Sequence, residues 1–252
     1  MPAVKPLIYL VLGVSGSGRR EIVEDLISNG LGPDERALVL LATSEPPAAV
    51  DAKLPRLARW DWADGTMSVP ELGDATQVFL ITEGRSNPVD QIEAFKAWLL
   101  VSGGELARVL CVVNCQLAEK HPALFAWYEA CAHFSDVLLL NQREGVANKW
   151  LSGFQARFKD QFYPFLIEFV KNGRVKNPAL LLDPQARRMS HFLDDEVNWV
   201  ITGTDTDADE EELDKGDDDV EVSPEEDPYM VRLAGGRRVK DIPNIVKYLE
   251  PA

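Results

Sequence analysis

An apolar run, Leu7-Ile8-Tyr9-Leu10-Val11-Leu12, passes without a polar break into Gly13-Val14-Ser15-Gly16-Ser17-Gly18-Arg19-Arg20. A continuous apolar stretch of this length is expected of a strand buried on both faces of a parallel sheet. After the glycines, Ile22, Val23, Leu26 and Ile27 share one face of a helix that Asn29-Gly30 would close. A buried strand, a glycine turn and an amphipathic helix in that order restrict the chain to an α/β architecture. The turn then lies at the carboxyl edge of the sheet, where such folds bind ligands.

Gly13 and Gly18 have the spacing of a phosphate-binding loop, in which Lys and then Ser or Thr follow the second glycine. Here Arg19 takes the place of the Lys and Arg20 that of the Ser or Thr. The backbone around Gly13, Ser15, Gly16, Ser17 and Gly18, with the helix N-terminus behind it, would form a concavity for phosphate oxygens. Arg19 would meet an anion with a planar fork instead of a compact ammonium. Arg20 offers no oxygen to Mg2+, so the usual magnesium ligand is missing. The glycine spacing G-x-x-G-x-G also differs from the G-x-G-x-x-G of dinucleotide-binding turns.

Further apolar runs follow at Ala37–Ala42, Val78–Thr82, Val109–Val113 and Val137–Leu140, with helical patterns over Pro88–Val101 and Pro122–His133. This alternation predicts a mostly parallel sheet flanked by helices. The stretch Ala48–Gly73 has no regular pattern. Trp150–Val170 reads as a long helix that Pro164 should kink or split. Leu180–Leu182 and Trp199–Ile201 read as short peripheral strands.

The chain has 252 residues and a formal net charge of −15, but the charge is concentrated. Asp205–Asp227 holds fourteen acidic residues and one basic residue, Lys215, which is −13 and leaves −2 for the rest. Low apolar content and like charge predict disorder there. The segment can recruit a basic protein partner or pair with Arg237, Arg238 and Lys240 in the tail. The acidic balance argues against nucleic-acid binding, which needs clustered Lys and Arg. The N-terminal apolar run is too short to span a bilayer and has no signal-peptide cleavage pattern. Three cysteines suggest no disulfide framework. These features predict a cytoplasmic protein without a membrane role. Cys111, Cys115, Cys131 and His133 have residue types suited to zinc. Cys111, however, lies mid-strand in an apolar run, where a buried, inert thiol is expected, and no metal site is assigned.

Two more strand ends carry candidate chemistry. Val78–Pro88 reads V-F-L-I-T-E-G-R-S-N-P, which puts Glu83 at a strand tip beside the loop, where a carboxylate can hold a metal-bound water. Phe134–Glu144 ends in Asn141-Gln142-Arg143-Glu144. A guanine-reading Asn-Lys-x-Asp would have Lys where Gln142 stands and Asp where Glu144 stands.

In order and spacing, Gly13–Arg20, Glu83-Gly84 with Pro88, Val112-Val113-Asn114-Cys115 and Ser135–Glu144 resemble the CobW/HypB/UreG-like P-loop metallochaperone GTPases. The resemblance covers residues 7–160. It implies a P-loop NTPase-like domain over 1–170; the composition and patterning beyond it divide the rest into a peripheral extension over 171–204, an acidic disordered linker over 205–227 and a tail over 228–252. The resemblance also implies GTP or another nucleotide as cofactor, with Gly13, Ser15, Gly16, Ser17, Gly18, Arg19 and Arg20 at the phosphates. Asn141 and Glu144 would lie near the base and Glu83 at the terminal phosphate. The family's G-K-T-T, E-T-S-G, V-V-D-A and N-K-x-D motifs are each altered here, and its C-x-C-C motif is missing from Ala42–Gln77. Hydrolysis is therefore expected to be weak or lost. The alternative is a non-catalytic interaction protein that keeps the scaffold and uses the acidic segment.

Overall fold

The computed structural model describes residues 5–194, 199–202, 221–224 and 226–250. Its main sheet contains β1 (Leu7–Gly13), β2 (Ala37–Ala42), β3 (Ala58–Ala63), β4 (Thr66–Ser68), β5 (Gln77–Ile81), β6 (Glu105–Asn114), β7 (Val137–Asn141) and β8 (Leu166–Phe169). The order across it is β4-β3-β2-β5-β1-β6-β7-β8, with every neighbouring pair parallel except β3 and β4. The strand leading into the glycine loop is thus central, between β5 and β6.

Both faces of the central strands are buried, which explains their unbroken apolar sequences. Tyr9, Val11, Val39, Leu41, Phe79 and Ile81 form one core with Ile22, Val23 and Leu26 of helix α1 (Arg19–Gly30). The Tyr9 and Phe79 rings stack there with centroids 4.9 Å apart. The alternate residues Ile8, Leu10 and Leu12 point to the opposite face and are equally buried. On that face, helix α4 (Phe125–His133) packs against β1 and β6, and α2 (Pro88–Ser102) packs against α4. The two remaining helices of the first half are short or peripheral: α3 (Cys115–Lys120) follows β6, and α5 (Asn148–Lys159) follows β7.

The structure departs from the sequence pattern in three places. The helix expected over Trp150–Val170 ends at Lys159, and the residues after Pro164 form β8. Pro164 and the left-handed Phe162 (φ 57°) stop the helix, and Leu166 N–H then donates to Asp136 O at 3.0 Å to join the sheet edge. Leu180–Leu182 belongs to a short helix, α6 (Pro178–Leu182), not a strand. Asn177 caps it and Pro178 occupies its first position, the usual helix-start chemistry. The irregular stretch Ala48–Gly73 contains a 3-10 turn at Ala49–Lys53 as well as β3 and β4.

The chain forms two compact units, one of residues up to Ser190 together with the segment from Asp241 onward, the other of residues between His191 and Lys240. In the second, β9 (Trp199–Thr202) pairs antiparallel with β10 (Glu221–Pro224). The segment 205–227 expected to be disordered lies outside the described residues except for 221–224 and 226–227. Its 221–224 portion is paired strand, because β9 supplies a partner for its backbone. Within this unit Arg238 is buried and donates to Tyr229 O at 3.1 Å, while Lys240 Nζ lies 5.6 Å from the centre of the Tyr229 ring. Among the described residues, no helix is long and apolar enough to cross a membrane.

Candidate functional site

The glycine loop leaves β1 at the carboxyl edge of the sheet, and its backbone is held from both sides. Ser15 N–H donates to Gly84 O at 3.0 Å, and Ser17 N–H donates to Val14 O at 3.1 Å. From the β7 side, Asn141 Nδ2 donates to Ser17 O at 2.8 Å and Gln142 Nε2 donates to Gly16 O at 2.7 Å. Three glycines here leave no room for a side chain, and at Gly13 (φ 139°) a Cβ would stand 2.7 Å from Val112 O. Gly18 has φ 89°, and a Cβ there would stand 2.3 Å from Asn141 Nδ2. At Gly84 a Cβ would stand 2.1 Å from Ser15 N. The loop, the turn after β5 and the end of β7 are therefore one close-packed unit.

Arg19 and Arg20 do not project into solvent; they are only 4% and 9% exposed. Arg19 donates to Thr82 O and to Glu45 Oε1, each at 2.5 Å. Arg20 bridges Glu45 Oε2 at 3.2 Å and Asp51 Oδ1 at 2.9 Å, and also donates to Pro46 O at 2.9 Å. Arg59 closes the network, with Nη1 2.9 Å from Glu45 O and Nη2 3.5 Å from Asp51 Oδ2.

Glu45 stands at the centre of this network. It follows β2 in a turn closed by its own N–H to Ala42 O at 3.1 Å, which carries the side chain over the carboxyl edge. The carboxylate accepts from Ser15 Oγ at 2.6 Å and from Gly84 N–H at 2.9 Å, besides the two arginines. A loop hydroxyl, a backbone N–H from the neighbouring strand end and the two cations of the first helical turn thus converge on one anion. Burial alone would raise the Glu45 carboxyl, but the Arg19 charge and the hydrogen bonds from Ser15, Gly84 and Arg19 outweigh it and hold it at about 2. Glu45 is ionised throughout the ordinary pH range.

The remaining residues singled out from sequence lie around this centre in different ways. Ser17 is buried, and its hydroxyl has no hydrogen-bond partner. Glu83 turns away from the loop: its carboxylate accepts from Ser86 Oγ, and its backbone is clamped by Gln91 at 2.7 and 2.9 Å. Gly84, one residue on, is the group that reaches the site. Asn141 is buried, whereas Glu144 is exposed, with its carbonyl accepting from Gln116 Nε2 at 2.7 Å.

Glu45, Asp51 and Arg59 were not legible as site residues. The one available signal was Glu45 directly after a buried strand in a chain that carries two unmatched arginines in its glycine loop. The loop, Asn141, Gln142 and Glu144 together line an open cleft of about 850 Å³, which Arg85, Lys120 and Tyr248-Leu249-Glu250 also line.

A magnesium–phosphate pair does not fit these residues. The Arg19 and Arg20 guanidiniums and the Ser15 hydroxyl that would meet a phosphate are bonded to Glu45, and the side chain at the magnesium-ligand position is a guanidinium engaged with two carboxylates. Cys111, Cys115 and Cys131 are all buried, and burial pushes the Cys115 thiol up to about 12. Among the described residues no group of three or more His, Cys, Asp or Glu is placed to hold a metal ion.

No protein-family model matches the chain, and no curated protein matches it. Solved structures do. A Zn(II)-bound triple mutant of YjiA GTPase is 13% identical over 78% of this chain and 71% of that one, with a TM-score of 0.45. The Zn(II)-bound YjiA GTPase from E. coli is 14% identical over the same shares, with a TM-score of 0.43. The signal recognition particle receptor FtsY from Elizabethkingia anophelis, in complex with GDP, is 18% identical over 71% of this chain and 63% of that one, with a TM-score of 0.48. At these identities and scores the likeness carries nothing about ligand or activity.

Proposed function

We propose that this chain is a non-catalytic interaction protein on a CobW-like P-loop scaffold, in which Glu45 is a built-in substitute for the bound phosphate. The observation that carries the reading is the Glu45 carboxylate held by Ser15, Gly84, Arg19 and Arg20. An incoming phosphate would have to displace a buried, ionised carboxylate from donors that already satisfy it, and the carboxylate would then need new partners. Hydrolysis is further opposed by the missing magnesium ligand and by Glu83, which faces Ser86 and not the loop. The scaffold is kept while the ligand chemistry is replaced, and the acidic segment 205–227 supplies a contact for a basic protein partner.

The direct test is calorimetric titration of nucleotide-free protein with GTP, ATP and GDP, with and without Mg2+. The expected result is no heat and no thermal shift. Micromolar, magnesium-dependent binding with a preference for guanine would overturn the reading.

A second reading, nucleotide binding with altered ligand chemistry, is favoured by one observation: the open cleft that the loop, Asn141, Gln142 and Glu144 line together. Under it Glu45 swings aside and Arg19 contacts phosphate. Arg19→Ala would then weaken binding by about 1.5–3 kcal/mol, the scale of a charge-assisted hydrogen bond.

A further inference from the structure

The cleft beside the glycine loop is walled in part by the chain's own C-terminal segment. Asn244 Oδ1 caps a 3-10 turn at Ile245–Tyr248 by accepting from Val246 N–H at 3.0 Å. Ile245 is the anchor of this segment and is only 1% exposed. On one side of the cleft, Arg85 Nη2, from the turn after β5, donates to Glu250 O at 2.7 Å. On the other, the Tyr248 ring lies against His121, just past α3, with centroids 5.2 Å apart. Tyr248, Leu249 and Glu250 then line the same cleft as Gly16, Gly18 and Gln142. The segment therefore crosses the carboxyl edge of the sheet, the side on which open α/β folds take their ligands.

The attachment is of a kind that opens locally. One buried apolar side chain, the Tyr248–His121 ring contact and one hydrogen bond to a carbonyl hold it, while Tyr248 and Leu249 are only half-buried and Val246 is 46% exposed. Few buried contacts and an exposed backbone give a segment an opening free energy far below that of the core.

We propose that residues 244–250 form an autoinhibitory strap along one wall of the glycine-loop cleft that narrows its mouth, so that their release widens the access of a ligand to the loop. The strap is independent of Glu45: Glu45 fills the anion seat at the base of the loop, and the strap limits access to the space in front of it. The proposal holds whether or not the cleft accepts nucleotide, and it is tested without one.

The experiment is hydrogen exchange on the full-length protein, read at the amides of residues 14–20, with tryptic cleavage after Lys247 followed in parallel. Ile245→Ala should speed both by about tenfold or more at an almost unchanged melting temperature. Arg85→Ala leaves the buried anchor in place and should give a smaller increase in both, which keeps the test open if the Ile245 variant fails to fold. Val246→Ala, at an exposed position, should change neither. Faster cleavage at Lys247 with unaltered exchange at residues 14–20 would sink the proposal, because the segment would then be detachable but not cover the loop. Unaltered values for both readouts in both variants would do the same. Nucleotide titration of Ile245→Ala separates the two ideas: heat with GDP would overturn the built-in-phosphate reading and support the strap.

Discussion

Two guanidinium groups in the first turn of a helix sit in an unfavourable field, because the N-terminal end of the helix dipole is positive. Arg19 and Arg20 open α1 in this position, and Gly18 provides no side-chain cap. The Glu45 carboxylate offsets one of the two positive charges and Asp51 the other, and neutralising charge at such a terminus is the electrostatic service a bound phosphate performs. The energetic weight of Glu45 can be read from pH. The folded carboxyl lies at about 2, against roughly 4.3 for a free glutamate. A lowered value stabilises the fold above the free value, and the contribution is lost as pH falls from about 5 to about 2. The difference corresponds to about 3 kcal/mol. Glu45→Gln should lose about that much at neutral pH and show a flatter decline between pH 5 and 2, measured by urea unfolding at a series of pH values. Parallel profiles for the two proteins would refute this role. Adding inorganic phosphate should raise the melting temperature of Glu45→Gln with the logarithm of its concentration, and leave the parent unaffected. The two arginines were conspicuous in the sequence; their partner was not, because the pairing joins residues 26 positions apart in the chain.

The end of β7 meets the loop through the Asn141 and Gln142 side chains, whereas the turn after β5 meets it through backbone. The turn after β5 approaches so closely that Gly84 has room for hydrogen only, with Ser15 N and Val14 C within 2.6 Å of any Cβ. Gly84→Ala should therefore push the β5 turn and the loop apart, with a loss of about 1–3 kcal/mol of stability in urea denaturation, as for overpacking in a core. A loss below a few tenths would mean that the turn yields freely. In contrast, Leu26→Ala acts through α1's apolar face on the sheet and should cost about 2–5 kcal/mol. Strands β1, β2, β5, β6 and β7 were legible because burial on both faces leaves an unbroken apolar signature, whereas β3, β4 and β8, at the margins of the sheet, lack it. The C-terminal elements were not legible either. A run such as Leu180–Leu182 suits a strand or a helix equally, and the capping Asn177 with Pro178 decides for the helix. Past Pro164, edge pairing to β7 selected strand over continued helix.

For the molecule as a whole, the acidic charge is concentrated in one stretch of the sequence. Outside Asp205–Asp227 the chain carries a net charge of only −2, so that the acidic segment dominates its long-range field. Deleting residues 205–220 should leave the melting temperature within about 2 °C of the parent, since little packing depends on a low-apolar, like-charged segment. The same deletion should abolish retention on a lysine-rich peptide that the parent binds at low salt and releases at high salt. Equal retention of both proteins would move the basic-partner contact elsewhere on the surface.

The sequence by itself determined the α/β class, the central strand, the glycine turn behind it and the loss of the lysine and hydroxyl that phosphate chemistry needs. These are local properties: apolar run length, glycine spacing and residue type at fixed offsets. Only the tertiary structure decided what the altered loop does instead. The convergence of Ser15, Gly84, Arg19 and Arg20 on Glu45, and the return of Ile245–Glu250 across the cleft, depend on strand order and chain path. Charges distant in sequence find each other because desolvation makes an unpaired buried ion too costly to leave alone, and that constraint acts only once the fold has brought them together.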